Sequence, residues 1–274
     1  MREFRDFRGN VVEIPETPER IVSLSPAITE TLFDLSLDRE IVGVSAFCRR
    51  PEKAASKRKI GSYGTVNRKL LDELKPDLIL GVSGYPEVFL KELSSSYPTV
   101  VFELPRTIMG ILDMFIQIGG AVNRSDEAHG LVQMLIEHLR PIDLGRRITY
   151  YLEIDLGGPV TFGRYSYITD TLSYFGFESI YSNADREWLQ SSDDRILSAD
   201  PDVVIYEPKM FSGMSGDKFR SLVRERGWDR LTAYSNGLIF KTPGDLDFFA
   251  HHGPSFFREV IPWIKRVLAE PFLQ

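Results

Sequence analysis

Apolar residues occur in short blocks near the start of the chain. Val11–Ile14 and Ile21–Leu24 are mostly β-branched runs separated by a Pro-rich turn, and this composition predicts two short strands. Ser25 then offers a helix N-cap, and Pro26 suits the first helical position, where its missing N–H leaves no bond unmade. The apolar positions that follow have helical spacing: Ile28, Leu32 and Leu35.

Further short apolar runs are bounded by Pro, Asp or Gly. These predicted strands are Glu40–Ser45, Leu78–Leu80, Thr99–Leu104 and Val203–Ile205. Unbroken apolar strands are typical of parallel sheets covered on both faces. Helical patterns follow two of them, in "PEVFLKELSSSY" and "DKFRSLVRERGW". The sequence thus predicts an α/β fold with mainly parallel sheets.

Two motifs recur in the same order. The sequence Ile-Thr-Glu-Thr-Leu at Ile28–Leu32 returns as Ile-Thr-Asp-Thr-Leu at Ile168–Leu172. The dipeptide Pro76-Asp77, which precedes a predicted strand, returns as Pro201-Asp202. One five-residue match could arise by chance, whereas two matches in one order indicate a duplicated α/β lobe. We therefore predict two Rossmann-like lobes.

A helical pattern at Ser125–Asp143 separates the two halves. Ser125 is suited to the N-cap, and Asp126 and Glu127 complement the positive end of the helix dipole. We predict an N-terminal lobe at 1–124, one long linker helix at 125–143 and a C-terminal lobe at 144–274. The predicted apolar stripe is Val132, Leu135, Ile136 and Leu139, with Pro141 ending the helix.

Composition narrows the classes of function. The 274 residues are 43% hydrophobic and 26% charged, with a net charge of −6, which gives no general attraction to nucleic acid. The segment Cys48–Lys59 is locally basic, and such charge runs are most often solvated loops. Cys48 is the only cysteine, so an intramolecular disulfide is excluded. The start, "MREFRDFRGN", lacks the apolar core of a signal peptide, so we expect either a cytosolic protein or a mature sequence whose leader was replaced.

Six segments in order resemble the substrate-binding proteins of ABC importers for cobalamin and iron–siderophore complexes, whose two lobes are joined by one helix. They are "RIVSLSPAITE", "IVGVS", "KIGSYGTVN" followed by "LKPDLIL", "VTFGRYSYITDTLSYFGF", "RILSADPDVVIY" and "GWDRLTAYSNGLIFKTPGD". The resemblance implies an extracytoplasmic, monomeric protein with no catalytic residues, a ligand cleft between its lobes and a membrane permease as its partner. The implied cargo is cobalamin, with a ferric siderophore or heme as the alternative.

The resemblance also implies ligand-facing residues in the first lobe. Ser25 and Pro26 lie at the predicted cleft floor, although Pro26 suits a purely structural role equally well. Phe47 and Arg50 follow "IVGVS"; the known cobalamin binders carry an aromatic residue near the position of Arg50, so this chain departs there. An arginine could face an anionic group of the ligand or belong to the basic loop. Tyr63 matches an aromatic ligand contact, or packs at a Gly-rich turn.

In the second lobe, the resemblance implies ligand contacts in "TFGRYSY". These are Phe162, Arg164 and Tyr165, with Gly163 permitting close approach. Trp188 offers another flat surface, or else covers the core of the lobe. The segment "GDLDFFAHHGP" adds three more candidates, Phe248, Phe249 and His251. Adjacent histidines diverge, so we expect no protein-held metal, although His251 could reach the axial face of a bound corrin or heme.

Two acids are candidates for docking to the permease, because the resemblance places one acidic side chain on each lobe. These are Glu87 and Asp217. The alternative is that both are ordinary acids in the first turn of a helix, where they complement the helix dipole. A protein of another class, which handles corrinoids in the cytosol or is an enzyme built on the same lobes, remains the alternative.

Overall fold

The structure, a computed structural model, describes residues 1–62, 65–84 and 87–273, without the side chains of residues 87 and 88. The chain divides into two compact units. The first unit comprises Met1–Pro105, Met109–Glu137 and His252–Ser255. The second comprises residues 106–108, 138–251 and those from Phe256 onward. Each unit is therefore assembled from segments that are distant in sequence.

The first unit contains a hairpin and a parallel sheet. Strands β1 (Arg2–Arg5) and β2 (Val11–Ile14) pair antiparallel, and β1 was not predicted. The five-stranded sheet has the order β5-β4-β3-β6-β7, with every pair parallel. Its strands are β3 (Ile21–Ser23), β4 (Ile41–Ser45), β5 (Lys59–Gly61), β6 (Leu78–Val82) and β7 (Thr99–Phe102).

Helices cover this sheet and enclose an apolar core. They are α1 (Pro26–Asp34), α2 (Arg68–Leu74), α3 (Glu87–Ser94), α4 (Ile108–Ala121) and α5 (Ser125–Ile136). A 3₁₀ turn at Glu52–Ser56 precedes β5, and another at Glu137–Leu139 follows α5. The buried side chains of one core cluster come from the strands, from the residue after β3 and from helices α2 and α3: Val22, Leu24, Ile60, Leu71, Leu74, Ile79, Leu90, Leu93 and Val101.

Helix α5 differs from its predicted form. Its N-cap is Arg124, without a side-chain cap, and Ser125 is the first helical residue, followed by the acidic first turn expected from the sequence. Ile136 is 44% exposed, so its place in the predicted apolar stripe is wrong. The buried stripe is Ala128, Leu131, Leu135 and Leu139. The α-helix also ends earlier than predicted, at Ile136, and belongs to the first unit; its role as a linker stays a prediction.

The second unit is built around a mixed sheet of six strands. They are β8 (Ile148–Asp155), β9 (Pro159–Phe162), β10 (Phe177–Ser179), β11 (Trp188–Gln190), β12 (Val203–Glu207) and β13 (Ile239–Lys241). The order is β11-β9-β8-β12-β13, with β10 also beside β8. Strand β9 pairs antiparallel with its two neighbours, β8 and β11, and all other pairs of this sheet are parallel. The predicted α/β fold with mainly parallel sheets is therefore confirmed.

The helices of the second unit are mostly short. They are α6 (Tyr167–Tyr174), α7 (Asp193–Ala199), α8 (Gly216–Glu225) and α9 (Thr232–Ser235), with a 3₁₀ turn at Trp228–Arg230. The C-terminal helical segment has two π-helical stretches, Phe256–Val260 and Ile264–Ala269. An α-helical turn at Ile261–Trp263 separates them, and a 3₁₀ turn at Glu270–Phe272 ends the segment. None of the helices in the described ranges is both long enough and apolar enough to cross a bilayer.

The repeated Pro-Asp motif performs the same task in each unit. Helices α2 and α7 both end at a residue in the left-handed region, Lys75 (φ 46°) and Asp200 (φ 42°). The carboxylate of Asp77 then accepts the backbone N–H of Arg20 at 3.0 Å, just before β3. The carboxylate of Asp202 likewise accepts the N–H of Thr149 in β8 at 2.8 Å. In both units, the acid fixes the start of the neighbouring central strand.

The repeated helix starts also share their bonding. The hydroxyls of Thr31 and Thr171 donate to carbonyls one turn earlier in α1 and α6, at 2.9 and 2.7 Å. In the first unit, Glu30 accepts the N–H of Ser255 at 3.0 Å. In the second unit, Asp170 accepts the N–H of Ile108 at 2.8 Å. Each acid therefore satisfies an open N–H at the start of another helix, which is the usual role of an N-capping acid.

Candidate functional site

A β-hairpin distinguishes the second repeat from the first. Ile21 of β3 lies opposite Leu78 of β6, and Tyr150 of β8 lies opposite Val203 of β12. The first unit proceeds from β3 through two residues to α1, whereas β8 continues to Asp155 and the chain returns as β9. The hydroxyl of Thr161 in β9 donates to the carbonyl of Leu152 at 2.7 Å. The hairpin therefore brings Phe162 to the start of α6, beside the carboxyl end of the repeated strand.

Two of the predicted aromatic residues meet on this hairpin. Trp188 of β11 lies directly opposite Phe162 of β9 in antiparallel register. Directly opposite residues of such a pair project from the same face of the sheet, so the indole and the phenyl ring are neighbours. Trp188 is 59% exposed, and Tyr165, three residues after Phe162, is 42% exposed. The second unit therefore carries two exposed aromatic residues beside the half-buried Phe162. We call these three residues the aromatic ladder: Phe162, Tyr165 and Trp188.

Gly163 accommodates close approach of the protein's own backbone. A Cβ atom at this position would lie 2.3 Å from the carbonyl oxygen of Arg186 and 2.6 Å from that of Ala184. The N–H of Gly163 donates to the carbonyl of Glu187 at 3.1 Å. The close approach predicted for a ligand is thus made by the chain itself, and Gly163 holds the strands of the ladder together.

Charged groups flank the aromatic ladder. The guanidinium of Arg164 lies 3.1 Å from the carboxylate of Asp185, which also accepts a hydrogen bond from the Tyr165 hydroxyl at 3.3 Å. An anionic ligand group at Arg164 would therefore compete with Asp185. Burial raises the pKa of the Glu187 carboxyl beside Trp188, and the positive charge of Arg106 opposes that shift.

The predicted stacking residues of the last loop lie in the interior of the second unit. Phe248 is 4% exposed and Phe249 is 0% exposed. Both rings pack edge-on against Trp263, with ring centroids 5.6 and 5.8 Å apart. His251 is also buried. Local sequence offers no sign of this burial, and their predicted contacts with a ligand stay predictions.

Glu207 is a residue of this region that the sequence analysis missed. It ends β12, is 1% exposed, and accepts hydrogen bonds from the backbone N–H groups of Phe248 and Phe249 at 2.9 and 2.6 Å. Burial raises the pKa of Glu207 to about 7, although the amide donors of Phe248 and Phe249 act in the opposite direction. The signal available in the sequence was an acid closing an apolar strand, in "DVVIYEP".

In the first unit, Ser25 and Pro26 lie where they were predicted, at the start of α1. Pro26 is the first helical residue, but the hydroxyl of Ser25 does not cap the helix.

A buried group of polar side chains lies near the ends of β3 and β4. The Thr29 hydroxyl oxygen lies 2.8 Å from Ser23 Oγ and 3.0 Å from Cys48 Sγ, both within hydrogen-bond distance, and Ser45 Oγ lies 3.2 Å from the same sulfur. Burial raises the pKa of the Cys48 thiol.

The remaining first-unit candidates follow β4. Phe47 and Arg50 are both half-buried, and Tyr63 lies outside the described residues. Part of the basic segment is structural, because Lys59 donates to the carbonyls of Cys48 and Ala54, both at 2.9 Å. Lys57 similarly donates to the carbonyl of Asp38.

The two docking candidates begin helices. Glu87 is the first residue of α3, but its side chain lies outside the described part of the structure. Asp217 lies in the first turn of α8, and its exposed side chain pairs with Arg220 one turn later. Within the described ranges, no group of three or more His, Cys, Asp or Glu side chains is arranged to hold a metal ion.

Known proteins resemble this chain in sequence and in fold. A vitamin B12-binding protein of Yersinia pseudotuberculosis is 25% identical over 199 residues, which cover 69% of this chain and 70% of that protein. A molybdate periplasmic binding protein of Haemophilus influenzae superposes with a TM-score of 0.78 at 17% identity, covering 99% and 92% of the two chains. A possible iron-binding, periplasmic solute-binding protein of Staphylococcus epidermidis gives 0.72 at 24% identity, covering 91% and 98%.

The structural matches establish the same two-lobed α/β fold, and their low identities carry no information on the ligand. The family model described as periplasmic binding protein matches residues 21–246, which is most of the chain. This chain belongs to the periplasmic binding protein family.

Proposed function

We propose that the protein captures cobalamin or a related corrinoid and delivers it to an ABC importer. The observation that carries this proposal is the aromatic ladder of the second unit, in which Tyr165 and Trp188 are exposed and Phe162 is half-buried. A corrin is large and flat, and exposed aromatic rings supply extensive contact area at a low cost in conformational entropy. The family consists of solute-binding proteins, in keeping with a binding role without catalysis.

The relatives and the charges define the alternative ligands. The relative from Yersinia pseudotuberculosis is named as a vitamin B12-binding protein, which supports a corrinoid. The relative from Staphylococcus epidermidis is named as possibly iron-binding, and Arg164 beside the ladder could meet an anionic chelate. A ferric siderophore or heme is therefore the second candidate.

Substituting both Trp188 and Phe162 with Ala is expected to weaken cyanocobalamin binding by ~30-fold or more. Each ring removed from such a contact is worth roughly 1–3 kcal/mol, since aromatic side chains dominate interfaces of this kind. Isothermal titration calorimetry of the purified protein measures the affinity directly. Trp228 is buried and Trp263 is only partly exposed, so quenching of tryptophan fluorescence in the unsubstituted protein should come mainly from Trp188.

Tyr234→Ala is the matched control, because Tyr234 is also an exposed aromatic residue of the second unit. Its affinity should equal that of the unsubstituted protein. Unchanged affinity in the double variant would remove the ladder from the ligand site. Saturable binding of heme or of a ferric hydroxamate, with none of cyanocobalamin, would replace the corrinoid by the second candidate.

The same proposal places the protein outside the cytoplasm as a monomer that docks on a membrane permease. Glu87 and Asp217 are the proposed docking acids, and each lies in the first turn of a helix in a different unit. We expect Asp217→Arg to leave ligand affinity unchanged but to lower uptake through the cognate permease on the order of tenfold or more. The resemblance implies arginines on the permease at this contact, and the new arginine would repel them.

Uptake into permease-containing vesicles at low and high salt measures this effect, and Glu87→Arg should behave in the same way. Asp229→Arg is the control, since Asp229 is another exposed acid of the second unit. Equal uptake by the Asp217 and Asp229 variants would contradict a docking role for Asp217.

A further inference from the structure

Phe211 has an unusual backbone conformation for an aromatic residue. In the described part of the chain, five residues other than glycine have a positive φ angle. Four of them lie within two residues of the end of a helix, where the left-handed conformation is a common ending: Ser36, Lys75, Asn123 and Asp200. Phe211 (φ 61°) is the exception, because the element before it is strand β12. A bulky side chain in this region of the backbone map is a genuine outlier.

A tight turn holds Phe211 in this conformation. The N–H of Ser212 donates to the carbonyl of Lys209 at 3.0 Å, so Phe211 is the third residue of a four-residue turn. The N–H of Phe211 itself donates to the carbonyl of Asp245 at 2.9 Å, which ties the turn to a later loop of the same unit. Glycine is favoured at a turn position with positive φ, because it has no Cβ to collide with the backbone. The geometry of the turn therefore gives no reason for a phenyl ring here.

Packing in the core gives no reason for the ring either. Phe211 is 59% exposed, the same fraction as Trp188 of the aromatic ladder. Backbone conformations that cost energy persist only where they serve a purpose, and they cluster at sites that hold a ligand. A large aromatic side chain that is both exposed and in a left-handed conformation is therefore a candidate for ligand contact.

Phe211 and the aromatic ladder extend from one row of residues across the sheet. Glu207, the last residue of β12, lies opposite Ile154 of β8, and Ile154 lies opposite Val160 of β9. Phe162 follows Val160 by two residues, and Phe211 follows Glu207 by four. Because neighbouring strands lie about 4.8 Å apart, β9 and β12 are separated by roughly 10 Å. A corrin with its amide side chains is wide enough to span that distance.

We propose that Phe211 is a further ligand contact of the second unit, whose ring meets the outer part of a flat macrocycle held on the aromatic ladder. The inference rests on the proposed function and adds to it a contact from the loop after β12. The turn keeps the ring out of the core of the unit, and it fixes the backbone from which the ring projects. A ring presented in this way loses little conformational entropy when it binds a ligand.

The variant Phe211→Gly separates a ligand contact from a structural role. Removing the ring is expected to weaken cyanocobalamin binding about fivefold or more in isothermal titration calorimetry, a loss within the range found when aromatic contacts are truncated. Because glycine adopts the left-handed conformation without a steric penalty, the midpoint of urea unfolding should not fall. A ring that served only the fold would give the opposite result, with a lower midpoint and an unchanged affinity.

Two further variants of the same turn are the controls. Phe211→Tyr keeps an aromatic ring and should bind cyanocobalamin within about twofold of the unsubstituted protein, as expected for a mild surface change. Ser212→Gly adds backbone freedom to the turn without removing the ring, so its affinity should also be unchanged. Equal affinities of Phe211→Gly and the unsubstituted protein would overturn the proposed contact. A loss in either control as large as that in Phe211→Gly would overturn it as well.

Binding by the unsubstituted protein distinguishes this inference from the proposed function. If that protein binds cyanocobalamin and Phe211→Gly binds it equally well, the contact at Phe211 is refuted and the proposed function stands. If heme binds in place of cyanocobalamin, the same comparison of variants with heme decides the contact. If the unsubstituted protein binds neither macrocycle, the contact and the corrinoid proposal are refuted together.

Discussion

Replacing Gly163 with Ala is expected to destabilise the second unit by about 2–3 kcal/mol, the upper part of the range of about 1–3 kcal/mol that is typical of overpacking, because the atoms it meets cannot move freely. The added Cβ would lie 2.3 and 2.6 Å from two backbone carbonyl oxygens, and neither can rotate away as a side chain would. Urea unfolding followed by tryptophan fluorescence measures the change. All three tryptophans, at positions 188, 228 and 263, belong to the second unit, so this signal reports on that unit.

Gly158→Ala provides a control in the turn of the same hairpin. A Cβ at Gly158 would meet nothing within 4 Å, and its backbone does not lie in the left-handed region. The free energy of unfolding should then change by no more than about 0.5 kcal/mol. Equal effects of the two substitutions would contradict the close approach at Gly163.

Removing the guanidinium of Arg226 is expected to cost the second unit about 3–5 kcal/mol, the usual cost of leaving a buried charge without its partner. Arg226 Nη1 lies 2.5 Å from the carboxylate of Glu153, whose side chain is only 3% exposed. The same guanidinium lies 2.7 Å from Asp193 and 4.4 Å from the ring centroid of Trp228. In Arg226→Met, the buried Glu153 side chain would lose its cationic partner.

The double variant Arg226→Met, Glu153→Gln distinguishes electrostatics from packing. If the uncompensated carboxylate is the cause, neutralising Glu153 should recover a large part of the lost stability, measured again by urea unfolding. Arg220→Met in α8 is the matched control, because its pair with Asp217 is exposed and should contribute little. A double variant no more stable than Arg226→Met alone would refute the electrostatic explanation.

The local pattern of apolar residues was sufficient to predict most of the strands and helix starts. Strands such as Val11–Ile14 and the helix start at Pro26 were found because their residues carry a β-branched run or a proline at a helix start. Strand β1 was missed because its sequence, "REFR", has three charged residues and only one apolar residue. The ring of Phe4 packs against that of Phe102, with centroids 6.4 Å apart, and this contact forms only when the chain folds. In α5, Ile136 lies at the edge of the buried face and is exposed, whereas Ala128 lies within that face but carries too small a side chain to stand out in the apolar pattern.

The site was less predictable than the fold because its geometry depends on long-range register. Phe162 and Trp188 were each recognised as flat surfaces, but their pairing exists only because β11 aligns with β9 in this register. Phe248 and Phe249 are adjacent aromatics, and nothing local indicates that Trp263, far along the chain, packs against both. Glu207 was overlooked because an acid after a strand usually belongs to a solvated loop.

The acids at the two repeated helix starts affect how the chain can be divided into fragments. Glu30 holds the N–H of Ser255, and Asp170 holds that of Ile108, so each bond joins residues from opposite halves of the sequence. A fragment ending at residue 137 would retain Glu30 without Ser255, and the complementary fragment would retain Asp170 without Ile108. A single cut anywhere between Glu30 and Ser255 therefore separates at least one of these acids from the N–H group that it binds.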